Sequence, residues 1–404
     1  MIAFVTNFAS PMGVIAKNQF NASNALSQLG NAANFIAYLF MGIPGGLILK
    51  RKGYKFTALA AVAVGFTGVG VQLISGYISS FAVYVLGAFI AGFSMCMLNL
   101  VVNPMLNTLG GEGKKGNQLV QFGCSLNSVG ATLSPAVLGW LIGEITKDTA
   151  FIKAAPALMI AMGIFALAFL IVAFSKIPEP HMETADEKAA RLAGKTSVLR
   201  DIAATLKFRH FTFGALAIFF YIVIEVGVPS MGMLYMTEVG KPWYVGGAVA
   251  GVVCGAYWFL MMCGRLLGGV VGGKVSSRVQ VSFLATLGIC LLLAAMFTPV
   301  KMITLFGYKF PLSMAFMVAV GLCTSVMWGG IFNMAAEGLG KYVPMGSGIF
   351  MAMVFGGILI PVQGFLADKI GILNSYWLSI ALLAYVLVYA FFLSKPSRTI
   401  AKVD

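Results

Sequence analysis

Long apolar segments recur along nearly the whole chain, and they limit the folds open to it more than any other feature. A helix needs about 20 mostly apolar residues to cross the hydrocarbon core of a bilayer. Segments of that kind lie at about 2–20, 26–49, 56–76, 82–108, 117–143, 153–175, 211–236, 244–271, 279–299, 311–335, 345–367 and 374–394. Only 10% of the 404 residues are charged, too few to cover the surface of a water-soluble protein. The sequence therefore predicts an all-α integral membrane protein with twelve transmembrane helices.

The distribution of the charges indicates an orientation. The chain has 27 Lys and Arg against 13 Asp and Glu, for a net charge of +14. Nucleic-acid binding needs a basic face or stripe, whereas these basic residues form short runs between apolar segments, so we expect no nucleic-acid partner. Most of them fall in loops that lie inside if the N-terminus is inside. The positive-inside rule then predicts that both termini are cytoplasmic.

The chain divides into two halves that resemble each other. The longest polar stretch separates six apolar segments from six, which predicts helix bundles at residues 1–176 and 210–404 joined by a cytoplasmic linker at 177–209. A Gly-x-x-x-x-Pro pattern occurs in the fifth segment, from Gly130 to Pro135, and in the eleventh, from Gly356 to Pro361. Such correspondence is typical of the internal repeats of transporters. Frequent Gly and Pro in membrane helices is the simpler explanation of the same pattern.

Residues for catalysis or metal binding are sparse. The two histidines, His181 and His210, lie at the polar linker, and no cysteine pair has metal-ligand spacing. The six cysteines lie in apolar segments, where we expect them to be buried. An enzyme would need a catalytic constellation, and none is visible. We therefore expect a transporter with no cofactor and no bound metal.

The loop after the second segment carries a family resemblance. Gly46 to Lys55 resembles the G-x-x-x-D-R-x-G-x-K signature of the major facilitator superfamily, with Lys50 in place of the usual Asp and Arg51 at its Arg. Gly264-Arg265-Leu-Leu-Gly268 occupies the equivalent place in the second half. The resemblance implies two pseudo-symmetric six-helix bundles. It also implies gating roles for Lys50, Arg51 and Arg265, although the substitution at Lys50 removes the Asp of the usual gating salt bridge.

Motifs along the whole chain resemble one family in particular. They include Asn103-Pro104, Asn127-Ser128, Arg209-His210 and Pro361-x-x-Gly364-Phe365, and their order is similar to that of the L-fucose–proton symporter family. The resemblance implies a proton-coupled sugar importer in a bacterial-type inner membrane. The family's two membrane-centre carboxylates align with Ser10 and Asn99, which do not titrate. If the chain is proton-coupled, the proton must bind elsewhere.

Glu225 is the one acid well inside a predicted span. A charged side chain at the bilayer centre costs about 2.5–3.5 kcal/mol on insertion scales, so such residues tend to be functional. We predict that Glu225 binds the coupling proton, a sugar hydroxyl or both. The alternative is a structural interaction, with Arg265 as the candidate partner.

Amide and aromatic side chains are the candidates for binding sugar. Amides both donate and accept hydrogen bonds, which suits hydroxyl groups, and the apolar C–H faces of sugars stack on aromatic rings. Amides also join helices to each other, and aromatics also anchor helices at the interface, so structural roles stay open. Cys124 stands at a glutamine position of the family, which indicates a changed substrate. The predicted substrate-binding residues are Asn127, Asn99, Asn103, Trp328, Tyr221, Cys124, Asn7, Ser10, Asn34 and Trp258.

The leading hypothesis is a monomeric transporter that imports a small neutral sugar, of the hexose or deoxyhexose class, by alternating access. Its expected partners are the sugar, a proton and membrane lipids. The alternative on the same fold is an uncoupled facilitator, or an exporter of another metabolite or drug. A mostly apolar cavity without converging amides would favour the exporter.

Overall fold

The computed structural model describes residues 12–19, 22–109, 113–143, 151–179, 198–271, 275–339 and 343–396. The first half contains α1 (12–19), α2 (Asn24–Ser27), α3 (Leu29–Leu49), α4 (Arg51–Ile78), α5 (Phe81–Leu109), α6 (Gly113–Ile142) and α7 (Ala155–Phe174). A short α8 (Val198–Leu206) leads to the second half. That half contains α9 (Arg209–Met236), α10 (Gly247–Val271), α11 (Ser277–Phe297), α12 (Leu312–Thr324), α13 (Met327–Ala336), α14 (Val343–Ala352), α15 (Ile360–Ile370) and α16 (Tyr376–Val388).

The helices match the apolar segments of the sequence. Ten spans within the described residues are long and apolar enough to cross a membrane, and α6 and α1 lie at the predicted fifth and first segments. Large apolar side chains are exposed on the outer faces, among them Phe174, Phe283 and Phe392. Lipid is the solvent that suits such a surface. The expectation for the cysteines is wrong at Cys290, which is exposed on α11, and Cys124 and Cys263 are only partly buried.

Helical geometry changes within two of the predicted single spans. The tenth span is broken between α12 and α13. In the eleventh, a 3-10 segment, Met353–Leu359, separates α14 from α15. The two glycines of the 3-10 segment allow close packing, since a Cβ at Gly356 would overlap the Phe219 backbone and one at Gly357 would overlap the Phe35 ring. Breaks of this kind are common in the discontinuous helices of transporters.

We expect Gly356→Ala to destabilise the fold by about 1–3 kcal/mol, because the added methyl group has no room between the 3-10 segment and α9. Gly348→Ala is the matched control on α14, where a Cβ meets nothing within 4 Å. Its expected effect is a gain of up to about 1 kcal/mol from the better helix propensity of Ala. Thermal unfolding of the two purified variants measures the difference. Equal melting temperatures would contradict the packing argument.

A β-hairpin links α11 to α12, and the sequence analysis did not predict it. Strand β1 (Met302–Leu305) pairs antiparallel with β2 (Tyr308–Pro311). The two turn residues, Phe306 and Gly307, both have positive φ, at 51° and 83°. Positive φ at both central residues is the requirement of a type I′ turn, which matches the twist of the paired strands.

The first turn of α4 bends at Gly53, whose φ of 85° favours glycine. Here Glu179, which follows α7, accepts hydrogen bonds from the backbone N–H groups of Tyr54 and Lys55, the second at 2.9 Å. The Lys55 ammonium donates to the Ser175 carbonyl at 3.0 Å. A carboxylate is favourable at the N-terminus of a helix. Glu179 thus brings a negative charge from the segment after α7 to the loop where Lys50 replaces the usual Asp.

The two halves contact each other along a seam. Helix α6 packs along α10, and α3 packs along the 3-10 segment and α14. At the end of the seam that carries α2, called here the α2 end, the Asp368 carboxylate of α15 accepts hydrogen bonds from the N–H groups of Asn24 and Ala25 at 2.8 and 3.1 Å. Charge-assisted bonds of this kind are stronger than neutral ones. They hold the halves together at the α2 end.

Candidate substrate and coupling site

Glu225 lies near the middle of α9 and is paired with an arginine. Its Oε1 lies 3.2 Å from Nη2 of Arg265 on α10, and the two side chains are only 13% and 15% exposed. A buried carboxylate needs a partner of opposite charge or a proton. The structure brings together the predicted coupling residue and a predicted gating residue, and Arg265 is the partner that the sequence analysis named for Glu225.

Arg265 also reaches across the seam to the first half. Its Nη1 donates to the Ser128 hydroxyl at 2.8 Å and to the Cys124 carbonyl at 3.4 Å, both on α6. The planar guanidinium has five N–H donors in a fixed fork, so one side chain can bind two helices at once. A change in the charge of Glu225 would therefore alter a group that links the two halves.

Hydroxyl groups tie the backbone around Glu225 to neighbouring helices. The Tyr257 hydroxyl donates to the Glu225 carbonyl at 3.1 Å and lies 3.1 Å from the Thr324 hydroxyl. Tyr221 donates to the Thr324 carbonyl at 3.2 Å. Both tyrosines are fully buried. These bonds fix α9, α10 and α12 relative to one another, and they give Tyr221 a structural contact in addition to its predicted role at the substrate.

A second polar pair faces this network from the first half. Asn99 of α5 donates from Nδ2 to the Tyr38 hydroxyl of α3 at 2.9 Å, and Tyr38 lies within electrostatic reach of Glu225. Asn99 is only partly buried. The predicted substrate residue Asn99 and the predicted coupling residue Glu225 thus lie in one region of the seam.

The two predicted tryptophans lie in the second half, against the tyrosines of the network. The Trp328 ring packs on Tyr221 with centroids 6.3 Å apart and edge-on to Phe350 at 5.5 Å, and it is partly exposed. The Trp258 ring is edge-on to Tyr257 at 5.2 Å and is 6% exposed. Trp328 is therefore the better placed of the two to meet a substrate.

Asn127 on α6 has an exposed side chain, next to the residues that bind Arg265. Exposed Leu126, Val129 and Leu133 mark an outer face of α6. Each residue advances a helix by about 100°, which places Asn127 between that face and the face of Ser128. Cys124 lies one turn away and is partly buried. The substrate roles of Asn127 and Cys124 stay predictions.

The other predicted residues are described less completely. Asn7 and Ser10 lie outside the described residues, as do the side chains of Asn103 and Lys50. Asn34 is 2% exposed, and its backbone carbonyl packs against Gly92 of α5. Arg51 is exposed at the α3–α4 junction. The described part of the structure gives none of these residues a contact with the Glu225 network.

Sequence reasoning missed four residues of this network: Tyr38, Ser128, Tyr257 and Thr324. Each has a hydroxyl side chain within an apolar span. Such side chains are common in membrane helices because they form hydrogen bonds with neighbouring helices. Only the position of Ser128 could have indicated a role at the site, because it lies four residues after the predicted site residue Cys124 and therefore on the same helix face. The partners of the other three follow only from the packing of the helices.

Similar proteins are membrane transporters. Residues 1–307 match the family model described as Major Facilitator Superfamily. A glucose/galactose transporter of Brucella abortus is 27% identical over 384 residues, covering 94% of this chain and 88% of that protein. The L-fucose–proton symporter of Escherichia coli is 24% identical over 406 residues, covering 94% and 87%.

Solved structures agree on the fold. The fucose–proton symporter FucP in the outward conformation has a TM-score of 0.63 at 18% identity, covering 98% of each chain. A D-xylose–proton symporter has a TM-score of 0.66 at 14% identity, covering 99% of this chain and 97% of the other. The family model covers well over half of the sequence. The chain belongs to the Major Facilitator Superfamily and is a multi-pass membrane transporter.

Proposed function

We propose that this transporter imports a small neutral sugar, of the hexose or deoxyhexose class, by alternating access coupled to protons at Glu225. The observation that carries the proposal is the Glu225–Arg265 pair, whose guanidinium also binds α6 of the opposite half. The similarity to a glucose/galactose transporter and an L-fucose–proton symporter over most of the chain supports the substrate class.

The proposed cycle follows from the partners of Arg265. While Glu225 is ionised, it holds one edge of the guanidinium, and the other edge holds Ser128. A proton on Glu225 removes the charge that positions Arg265, which weakens the link between the halves. Sugar hydroxyls that bind beside Asn99 then form part of the new contacts between the two halves along the seam. The proton and the sugar therefore move together.

The remaining features of the proposal come from the sequence. We infer an inner-membrane location with both termini in the cytoplasm, a monomeric state, and a division into bundles 1–176 and 210–404 around the linker 177–209. Asn127, Asn99, Asn103, Trp328 and Tyr221 are proposed for the sugar, and Lys50 and Arg51 for the cytoplasmic gate. The basic residues of the cytoplasmic loops support the orientation.

One observation favours a second candidate, an uncoupled sugar facilitator. Asn99, at a family acid position, is a hydrogen-bond donor to Tyr38 and carries no proton that titrates. Glu225 would then serve only to neutralise Arg265. Uphill accumulation driven by a proton gradient separates the two candidates, because a facilitator equilibrates its substrate and goes no further.

A thermal-shift screen of the purified protein against sugars, nucleosides and organic acids tests the substrate class. A ligand that binds the folded state stabilises it by about 2.7 kcal/mol at 100 times its Kd. We expect a shift with D-glucose, D-galactose or L-fucose, and a smaller shift in Asn99→Ala. Stabilisation by organic acids or nucleosides alone, with no sugar effective, would overturn the proposed substrate class.

A further inference from the structure

One face of the first half follows the seam from the α2 end to Glu225. It is formed by Gln28, Asn31, Phe35 and Tyr38, whose spacing of three and four residues places them on the same side of a helix. All four are nearly inaccessible, at 0%, 1%, 5% and 4% exposed. We call this row the α3 stripe. It carries two amides at its outer part and two aromatic rings further in, a combination that suits a polyhydroxylated ligand.

Two members of the α3 stripe contact the second half, whereas Gln28 lies beside Gly13 of α1 and accepts a hydrogen bond from Asn31 Nδ2 at 2.8 Å. Asn31 Nδ2 donates to the Ser230 hydroxyl of α9 at 3.3 Å, and the Phe35 ring packs against Gly357 of the 3-10 segment. The innermost member, Tyr38, is within electrostatic reach of Glu225. When the halves separate at the α2 end, this surface becomes the wall of an opening that leads to Glu225.

The outer part of the stripe holds amide atoms without partners. Among the described residues, Gln28 Nε2, Asn31 Oδ1 and Gln363 Oε1 are buried and have no hydrogen-bond partner. Gln363 belongs to the second half and packs against Gly227, one turn from Ser230 on α9. A buried polar group without a partner destabilises the arrangement that buries it. Helix packing alone would be served better by apolar side chains of the same size.

We propose that Gln28 and Asn31, with Gln363 opposite, form a second sugar subsite at the α2 end, which binds the hydroxyls of a neutral monosaccharide before it reaches Glu225. An amide offers one acceptor and two donors, and here both kinds of group are unmatched in the closed arrangement. Phe35 supplies an apolar ring one turn further in. The inference rests on the proposed function, since it concerns the route of the same sugar.

The closed arrangement is balanced between opposing contributions. The Asp368 bonds to Asn24 and Ala25 favour contact of the halves at the α2 end, whereas the unmatched amides disfavour it. Sugar hydroxyls that satisfy the amides stabilise the open arrangement. The subsite therefore gives the sugar differential affinity for the state that admits it.

The test is the double variant Gln28→Met/Asn31→Leu, which removes both amides and keeps similar volumes. Transport of labelled D-glucose, D-galactose and L-fucose is measured in proteoliposomes in which all transporters have the same orientation in the membrane. We expect the half-saturation concentration for entry from the α2 end to rise about tenfold, which corresponds to about 1.4 kcal/mol. We expect the value for entry from the opposite end to be unchanged, and the melting temperature to be unchanged or higher.

Two further variants make the result decisive. Asn374→Ala removes an exposed amide in the turn after α15 that donates to the Ile370 carbonyl at 2.8 Å, and we expect wild-type transport. Asn99→Ala acts at the central site, so we expect it to raise the half-saturation concentration for entry from both ends. The subsite is contradicted if the double variant melts at a lower temperature and its half-saturation concentration changes equally for entry from both ends. The amides would then have a purely structural role. Failure of the wild type to move any of the three sugars would instead contradict the proposed function.

Discussion

Glu225→Gln should abolish accumulation of sugar against a concentration gradient while sugar exchange across the membrane continues. Gln keeps the shape of Glu and one acceptor oxygen, but it neither carries the charge that holds Arg265 nor exchanges a proton. The measurement is uptake into proteoliposomes with an imposed proton gradient, beside counterflow without a gradient. Uphill uptake should fall to the equilibrium level, and counterflow should persist.

The control for this prediction is Glu238→Gln, which neutralises an acid just beyond the end of α9, outside the Arg265 network. We expect it to accumulate sugar as the wild type does. Unchanged uphill uptake in Glu225→Gln would show that protons, if coupled, bind elsewhere. Loss of both uptake and counterflow would indicate that Glu225 is needed for folding or for sugar binding, and a separate role in proton coupling would not be supported.

The helices could be predicted from the sequence because each span is long and nearly free of charge. The length of the apolar runs fixed the positions of α9 and α11 to within a few residues. The β-hairpin was missed because its strands have four residues each and lie between two apolar spans. Its turn depends on positive φ at Phe306, a residue that rarely adopts such a conformation.

The candidate site could be predicted only in part. Glu225 is evident from sequence, because an acid inside an apolar span has a large energetic cost. Its partner Arg265 could be named for the same reason. The link from Arg265 to Ser128 could not, because it depends on how closely α6 and α10 approach, which is a property of packing across the seam.

The α3 stripe illustrates the same limit. Asn34 was predicted for the cavity, and Gln28 and Asn31 were not, although all three are amides near the start of one helix. The contacts described for them differ: Asn31 Nδ2 reaches the Ser230 hydroxyl across the seam, whereas the Asn34 backbone carbonyl packs against Gly92 of α5 within the first half. A sequence alone does not say which face of α3 meets the second half.

Arg265→Met should be the most destabilising change at the site. It leaves the Glu225 carboxylate in a buried position without its partner, and breaking one member of a buried pair costs about 3–5 kcal/mol. The matched control is Arg278→Met, whose partner Glu337 is half exposed, and an exposed pair contributes at most about 1 kcal/mol. Thermal and denaturant unfolding of the purified variants compares the two losses.

The double variant Glu225→Gln/Arg265→Met separates the energetic cost of the pair from its role in transport. Replacing both charges removes the uncompensated carboxylate, so we expect most of the stability lost in Arg265→Met to return, with a coupling energy of about 0.5–3 kcal/mol in the double-mutant cycle. Coupled uptake should stay absent, because the proton site and the link to Ser128 are both gone. Additive losses in the cycle would show that Glu225 and Arg265 act independently. Recovery of uphill uptake in the double variant would mean that the pair only holds α9 against α10, and that the proton binds at another residue.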